Sequence, residues 1–286
     1  MIRRDGGPIA CVLLTALALW YVLAAWLNWD QARALAGDDA GMPSVLAATM
    51  GMSHPLLPSP YQVVRAVLDG VLDWPLSSPR SLLYHAGVTA GAAALGFALA
   101  LTASLLLAAA IVHSRVLDRS LMPWLIASQT VPVLAIAPMV VVVLGSLGLT
   151  GLVPKALIAA WLAFLPVTLG AVKGLRSPDP MQRDLLRTYA ATPAQTFWML
   201  RWPASMPHLL PGVKVAAALS LVGTIVAELP TGAQAGLGAR LLAGSYYGQT
   251  VQIWAALAMA ALLSLVGTGL VSLAQGAVTR RRGGRL

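Results

Sequence analysis

"DLLRTYAATPAQTFWMLRWPASMP", residues 184–207, lies between two long apolar runs and gathers charged residues and three prolines into one short segment. Thr192 is followed by Pro193 and, three residues after the cap, by Gln195, which is the order of a capping box with proline at the first helical position. Just upstream, Ser177 precedes Pro178 and Asp179, a second start signal with an acid where a helix N-terminus favours negative charge. Two short helices joined by a turn are therefore predicted here. Leu185, Leu186 and Tyr189 on the first, and Phe197 and Leu200 on the second, carry more apolar surface than a connecting loop needs. Such surface suits a helix seated in a partner's groove, or packing against the chain's own helices.

The surroundings of this elbow set its context. Of 286 residues, 58% are hydrophobic and 10% charged, with a mean hydropathy of +0.77, well beyond a water-soluble domain. Apolar runs long enough to cross a hydrocarbon core fall at about 9–29, 84–112, 121–147, 152–172, 210–229 and 251–275. Lipid leaves exposed backbone groups unsatisfied, so these runs are read as helices, and none shows the alternation of a barrel strand. The expected fold is an all-α integral membrane protein of about six transmembrane helices. Its parts are a first helix with an extracytoplasmic segment (1–83), a core transmembrane domain (84–279) and a basic cytoplasmic tail (280–286).

A net charge of +9 could suggest nucleic acid, but its distribution points elsewhere. With the N-terminus inside, one face collects Arg3, Arg4, Arg115, Arg119, Lys173, Arg176, Arg183, Arg187, Arg201, Lys214 and the tail arginines Arg280, Arg281, Arg282 and Arg285. The other keeps Arg33, Arg65, Arg80, Lys155 and Arg240. This is the positive-inside bias of a multi-pass membrane protein, with both termini cytoplasmic. The tail "TRRRGGRL" is then a topology anchor at the lipid surface rather than a nucleic-acid patch. Cys11 lies alone within the first span, which is read as retained rather than cleaved.

The longest polar stretch, residues 30–83, carries Asp30, Asp38, Asp39, Asp69 and Asp73 and is placed outside. Within it Ser59, Pro60 and Gln62 form another capping box. Val63, Val64, Val67, Leu68, Val71 and Leu72 recur at helical spacing, with Arg65 and Asp69 on the opposite face. This helix is expected along the membrane surface or against the bundle.

Glu228 is the acidic side chain placed in a span, where a carboxylate is expensive and suggests function. It is a candidate for the translocation path or gate, through a structural or a substrate-touching role; hydration at the outer interface, or a cap for the turn at Pro230, is the alternative account. The glycines Gly232, Gly236, Gly238, Gly244 and Gly248 that follow suit a gate-like loop or ordinary turns. Span three holds Gln129, Thr130, Pro132 and Pro138, and its prolines favour a kink. Pro166, Thr168 and Gly170 of span four read as helix packing. His54, His85, His113 and His208 have no ligand spacing, so no metal site is predicted.

These segments resemble the inner-membrane permease subunits of binding-protein-dependent ABC importers. In that family a cytoplasmic loop carries an acid and two alanines, a glycine four residues later, and prolines in its second helix. Here Asp184 stands at the acid, with Arg187 and Thr188 following, and Pro203 and Pro207 at the prolines. Leu185 and Leu186 replace the alanines, Ala190 the glycine, and Trp202 the leucine before proline. "LLPSPYQVVRAV" (56–67), "QTVPVLAIAPMVVVVLG" (129–145) and "AELPTGAQAGLGARLL" (227–242) are similar to the nitrate, sulfonate and taurine branch, and the last most to members assigned to riboflavin or thiamine-pyrimidine precursors.

The resemblance implies a type I importer permease arrangement with a coupling helix, a path for a small polar or anionic solute, and ATPase coupling through 177–207, with Thr192 and Phe197 among the coupling residues. It implies two cytoplasmic ABC ATPases binding ATP and Mg, an extracytoplasmic substrate-binding protein, and a second permease copy as a homodimer. It also makes Gln129 and Thr130 path residues, since span three lines the path in this family. The chain itself has no G-x-x-x-x-G-K-[ST] loop, so ATP is hydrolysed elsewhere and no cofactor is expected in this chain. Two other classes fit less well. An ion-coupled secondary carrier would show inverted repeats or coupling charges, and an intramembrane hydrolase would need a base such as His deep in a span.

Overall fold

A computed structural model describes residues 6–37, 41–230 and 233–281. Arg3, Arg4, Asp38, Asp39, Gly232, Arg282 and Arg285 lie outside the described residues, and with them most of the basic tail. The described elements are helices: α1 (Gly6–Ala36), α2 (Met42–Gly51), α3 (Pro60–Leu72), α4 (Leu82–His113), α5 (Arg115–Ser128), α6 (Val133–Ser146), α7 (Leu152–Arg176), α8 (Pro180–Thr188), α9 (Pro193–Thr196), α10 (Trp202–Glu228), α11 (Leu237–Tyr246) and α12 (Thr250–Arg281). A π-helical turn, Phe197–Arg201, joins α9 to α10, so the second elbow helix runs without a break into the fifth apolar run. Among the described residues, five helices are long and apolar enough to cross a membrane, or six if the bent pair α5 and α6 counts as one span.

That pair corrects the expectation of a single kinked helix over 121–147. α5 and α6 meet at 101°, with the break at residues 129–132. Pro132 has no N–H to continue the ladder and sits in extended backbone (ψ 115°) as the cap of α6. Each half has 14 residues, about 21 Å of helix, short of a 30 Å hydrocarbon core.

The chain divides into two compact units. The first takes in residues 1–86 and 239–261. In it, Trp20, Ala24, Asn28 and Ala32 recur every fourth residue on α1, and the last three are fully buried. Asn28 takes the backbone N–H of Leu56 on its Oδ1 (2.7 Å) and donates to the Leu57 carbonyl (2.7 Å), while the Trp20 indole donates to Pro58 (3.1 Å). A strap of residues 52–59 is thereby sewn to α1. The rest of α1 exposes Val12, Leu13, Leu14, Val22 and Trp26, as a lipid-facing helix does. Ser59 and Gln62 form the expected capping box of α3. On α3 the apolar face divides: Val63 is buried, Val67 and Val71 half-buried, and Val64, Leu68 and Leu72 exposed.

The second unit takes in residues 87–238 and 262–286, and its centre is the pair α7 and α10. Small residues let these backbones touch. A Cβ on Gly174 would stand 2.6 Å from the Ser205 carbonyl oxygen, one on Gly170 2.8 Å from that of His208, and one on Gly223 2.8 Å from the Ala159 Cα. Close approach of this kind is how membrane helices gain contact when lipid offers no hydrophobic contrast. It accords with Gly170 reading as a packing residue. We expect Gly174→Val to cost at least about 1–3 kcal/mol by overpacking, seen as a lower thermal midpoint in detergent; an unchanged midpoint would contradict this packing.

Candidate functional site

Glu228 closes α10 with 0% of its surface exposed. Its carboxylate accepts from Thr89 Oγ1 of α4 (3.0 Å to each oxygen), from Lys155 Nζ of α7 (3.3 Å) and from the Gly238 N–H (2.8 Å). Lys155, expected among the outer charges, is 7% exposed, and its ammonium also reaches the Ala235 carbonyl (2.9 Å). Thr89 Oγ1 in turn accepts from the N–H of fully buried Leu237. The network therefore ties the backbone of residues 235–238 to three helices.

Two glycines make room for it. Gly236 has φ +130°, and a Cβ there would run into the Glu228 carboxylate; a Cβ on Gly238 would stand 2.6 Å from that of Glu228. Among the glycines of this segment, then, these two follow the carboxylate rather than a generic turn. Thr89 was missed in the sequence, Lys155 was read only as an outer charge, and Gly238 only as one of the glycines of a gate-like loop or ordinary turn. The signal for Lys155 was its place four residues into a span whose start lies on the same expected side as the end of span five.

Gln129 and Thr130 stand at the α5–α6 break. Gln129 caps α5 and donates from Nε2 to the Trp161 carbonyl of α7 (3.2 Å), and exposed Thr130 bonds back to Ala127 (2.8 Å). The structure does not bring them to Glu228.

At the elbow, Asp179 caps α8, with Pro180 at the first helical position and its carboxylate accepting from the Met181 N–H (2.9 Å). The expected cap, Ser177, instead ends α7, which runs on to Arg176, and its hydroxyl bonds the Gly174 carbonyl (2.7 Å). The start signal was duplicated, Ser-Pro-Asp-Pro, and the longer α7 consumes the first copy. Thr192 and Gln195 form the expected capping box of α9. Asp184 and Arg187 pair at 2.9 Å on the surface, and Thr188 bonds back to Leu185 (2.7 Å). Leu186 is half-buried. Met181, Leu185 and Tyr189 are 80%, 57% and 77% exposed and stand four apart, forming one apolar stripe on α8.

Phe197 is not on that surface. It packs on the chain's own core, with ring centroids 5.7 Å from His113 and 6.4 Å from Trp202, while Trp198 and Met199 beside it are exposed. A helix-period reading cannot anticipate this, because the π turn at 197–201 shifts which residues face inward. Pro203 and Pro207 lie in the first turns of α10, which continues through them.

Ala190 turns the chain between α8 and α9 at φ +53°, a conformation that strains any residue with a Cβ. It occupies the position where the resembled loop carries glycine. Ala190→Gly is expected to raise stability by about 1 kcal/mol, read as a higher thermal midpoint; a fall would contradict the left-handed turn.

Comparison with known proteins agrees with this architecture. The family model described as "Binding-protein-dependent transport system inner membrane component" matches residues 89–284. The chain is 32% identical over 183 residues to the formylaminopyrimidine transport permease protein ThiX of Halalkalibacterium halodurans, covering 64% of this chain and 68% of that one. It is 34% identical over 213 residues to the riboflavin transport system permease protein RibX of Chloroflexus aurantiacus (73% and 74%). It is 26% identical over 222 residues to a putative aliphatic sulfonates transport permease protein of Bacillus subtilis (78% and 76%). Several helices long and apolar enough to cross a membrane, a two-helix elbow continuous with one of them, and a family match over most of its length together make this chain a member of the inner-membrane permease family of binding-protein-dependent ABC importers.

Proposed function

We propose that this permease is driven by a separate ATPase that docks on the 177–207 elbow. The observation that carries the reading is the stripe of Met181, Leu185 and Tyr189, exposed on a short capped helix between two spans. An apolar row at four-residue spacing is the anchor set of a helix seated in a groove. Trp198 and Met199 on the second elbow helix are exposed as well, and the surface pair of Asp184 and Arg187 supplies a polar rim. α9 is continuous with α10, so a push on the elbow reaches the Glu228 end of that helix without a hinge.

Both termini are cytoplasmic in this reading. With five crossings the termini would lie on opposite sides, whereas basic residues flank both ends of the chain, which favours the α5–α6 pair as one broken span. Residues 1–83 then form the first span with its extracytoplasmic segment, 84–279 the transmembrane core, and 280–286 the cytoplasmic tail. A binding protein delivers the solute at the outer face, and a second permease subunit, another copy of this chain, completes the path. Gln129 and Thr130 contribute to that path at the helix break, and Glu228 acts as a gate element by holding residues 235–238. Relatives named for formylaminopyrimidine, riboflavin and sulfonates support a small organic solute.

Affinity purification of the tagged chain from its own cells tests the docking. The wild type should bring down an ATPase that is lost when Met181, Leu185 and Tyr189 are all replaced by serine; no ATPase with the wild type, or retention by the variant, would overturn it.

A further inference from the structure

Within the first unit a cavity of about 640 Å³ opens between the strap, α3 and the turn from α11 to α12, a volume typical of small-molecule sites. Its walls are fixed by hydrogen bonds. Thr250 Oγ1 donates to the Pro55 carbonyl (2.6 Å), Gln62 Nε2 to that of Met52 (2.9 Å), and the His54 ring meets the Gly248 carbonyl (3.3 Å). Gly248, at φ +64°, makes the tight turn that this closure needs.

The lining is electrically unbalanced. Three guanidinium groups, Arg65, Arg80 and Arg240, face one carboxylate, Asp69. Asp69 is taken by Arg65 at 3.9 Å, and Arg80 stacks over Trp74 at 4.9 Å. Arg240 is half-buried, and no ion pair joins it to a carboxylate among the described residues. Burial pushes its guanidinium below the usual arginine value, with no opposing charge to offset the loss of water. The amides of Gln249 and Gln252 line the same cavity, and each offers donors beside the cation.

We infer that this cavity binds a small organic monoanion, a carboxylate or sulfonate, with Arg240 as its counter-charge and Gln249 and Gln252 as flanking donors. Guanidinium is suited to planar or tetrahedral oxyanions, and a half-buried, unpaired cation gains most from one. The site rests on the reading that solute reaches this chain at its outer face, and it gives that solute a resting place on the first unit.

Equilibrium dialysis on the full chain in phosphatidylcholine nanodiscs, with no other subunit present, tests it. The probes are radiolabelled benzoate, benzenesulfonate and the neutral isostere benzamide. One anion should bind saturably, one per chain, with an affinity of about 1 mM or better, and benzamide about tenfold more weakly or not at all. Arg240→Gln should weaken the anion by about tenfold or more, while Arg240→Lys, which keeps the charge but not the planar fork, should fall between Arg240→Gln and wild type. Absence of saturable binding by folded wild type, equal binding of benzamide, or indifference to Arg240→Gln would overturn the site. Loss of anion binding when phosphatidylglycerol replaces part of the lipid would assign the cavity to a lipid headgroup and overturn it too. Because no ATPase takes part, this result and the co-purification result fail independently.

Discussion

Glu228→Ala should destabilise the permease by about 3–5 kcal/mol, the size expected when one partner of a buried ion pair is removed and the other is left without a counter-charge. Lys155 is the partner left behind, at 7% exposure and without solvent to screen it. The Thr89 hydroxyl and the Gly238 N–H lose their acceptor in the same step, each adding the penalty of an unsatisfied buried donor. Glu228→Gln keeps an acceptor for those donors and should fall between. The combined Lys155→Met and Glu228→Met variant removes both charges and should recover much of the loss, so the two sites are strongly non-additive. Thermal midpoints in detergent and the rate of proteolysis within 233–245 read these differences. A Glu228→Ala protein as stable as wild type, or additive single effects, would contradict a charge pair holding residues 235–238.

A larger effect on partnership than on stability is expected at the elbow. Met181, Leu185 and Tyr189 point away from the chain's own core, so replacing them by serine costs the fold little. Burying each in a partner's groove is worth about 1.5–3 kcal/mol. Losing all three should therefore weaken ATPase binding by at least about a thousandfold. Phe197→Ala should behave in the opposite way. Its ring packs against His113 and Trp202 inside the bundle, so the loss should appear in thermal stability, with ATPase retained by whatever protein remains folded. A variant set in which Phe197 controls ATPase binding and the α8 stripe does not would invert the assignment.

How legible this was in the sequence depended on the range of the interaction. Local chemistry was plain. The capping boxes at Ser59 and Thr192 follow from three adjacent residues and stand as expected, and long apolar runs became helices because lipid leaves the backbone no alternative. Competition between equal local signals was not readable. Ser177 and Asp179 are both followed by proline, and only the length of α7 decides between them. The 121–147 run is continuous in hydropathy, yet Pro132 breaks it by 101°, because hydropathy does not register a missing N–H.

Long-range pairings were least visible. Lys155 and Glu228 are 73 residues apart, and each alone fits an interfacial charge. Asn28, polar within the first apolar helix, carries the strap of residues 52–59, and nothing nearby in sequence announces it. The glycine-to-alanine departure at position 190 concealed a left-handed turn that the backbone still makes.

The central claim, that solute crosses through this chain at the expense of ATP hydrolysed by another subunit, is tested most directly by uptake into proteoliposomes. The permease would be reconstituted with its co-purified ATPase and the binding protein of the same system, with radiolabelled solute outside and ATP sealed inside. Uptake that needs ATP, survives collapse of ion gradients by ionophores, and disappears with the Met181, Leu185 and Tyr189 triple variant is the predicted result. Uptake by the permease alone, driven by an ion gradient and indifferent to ATP, would contradict it.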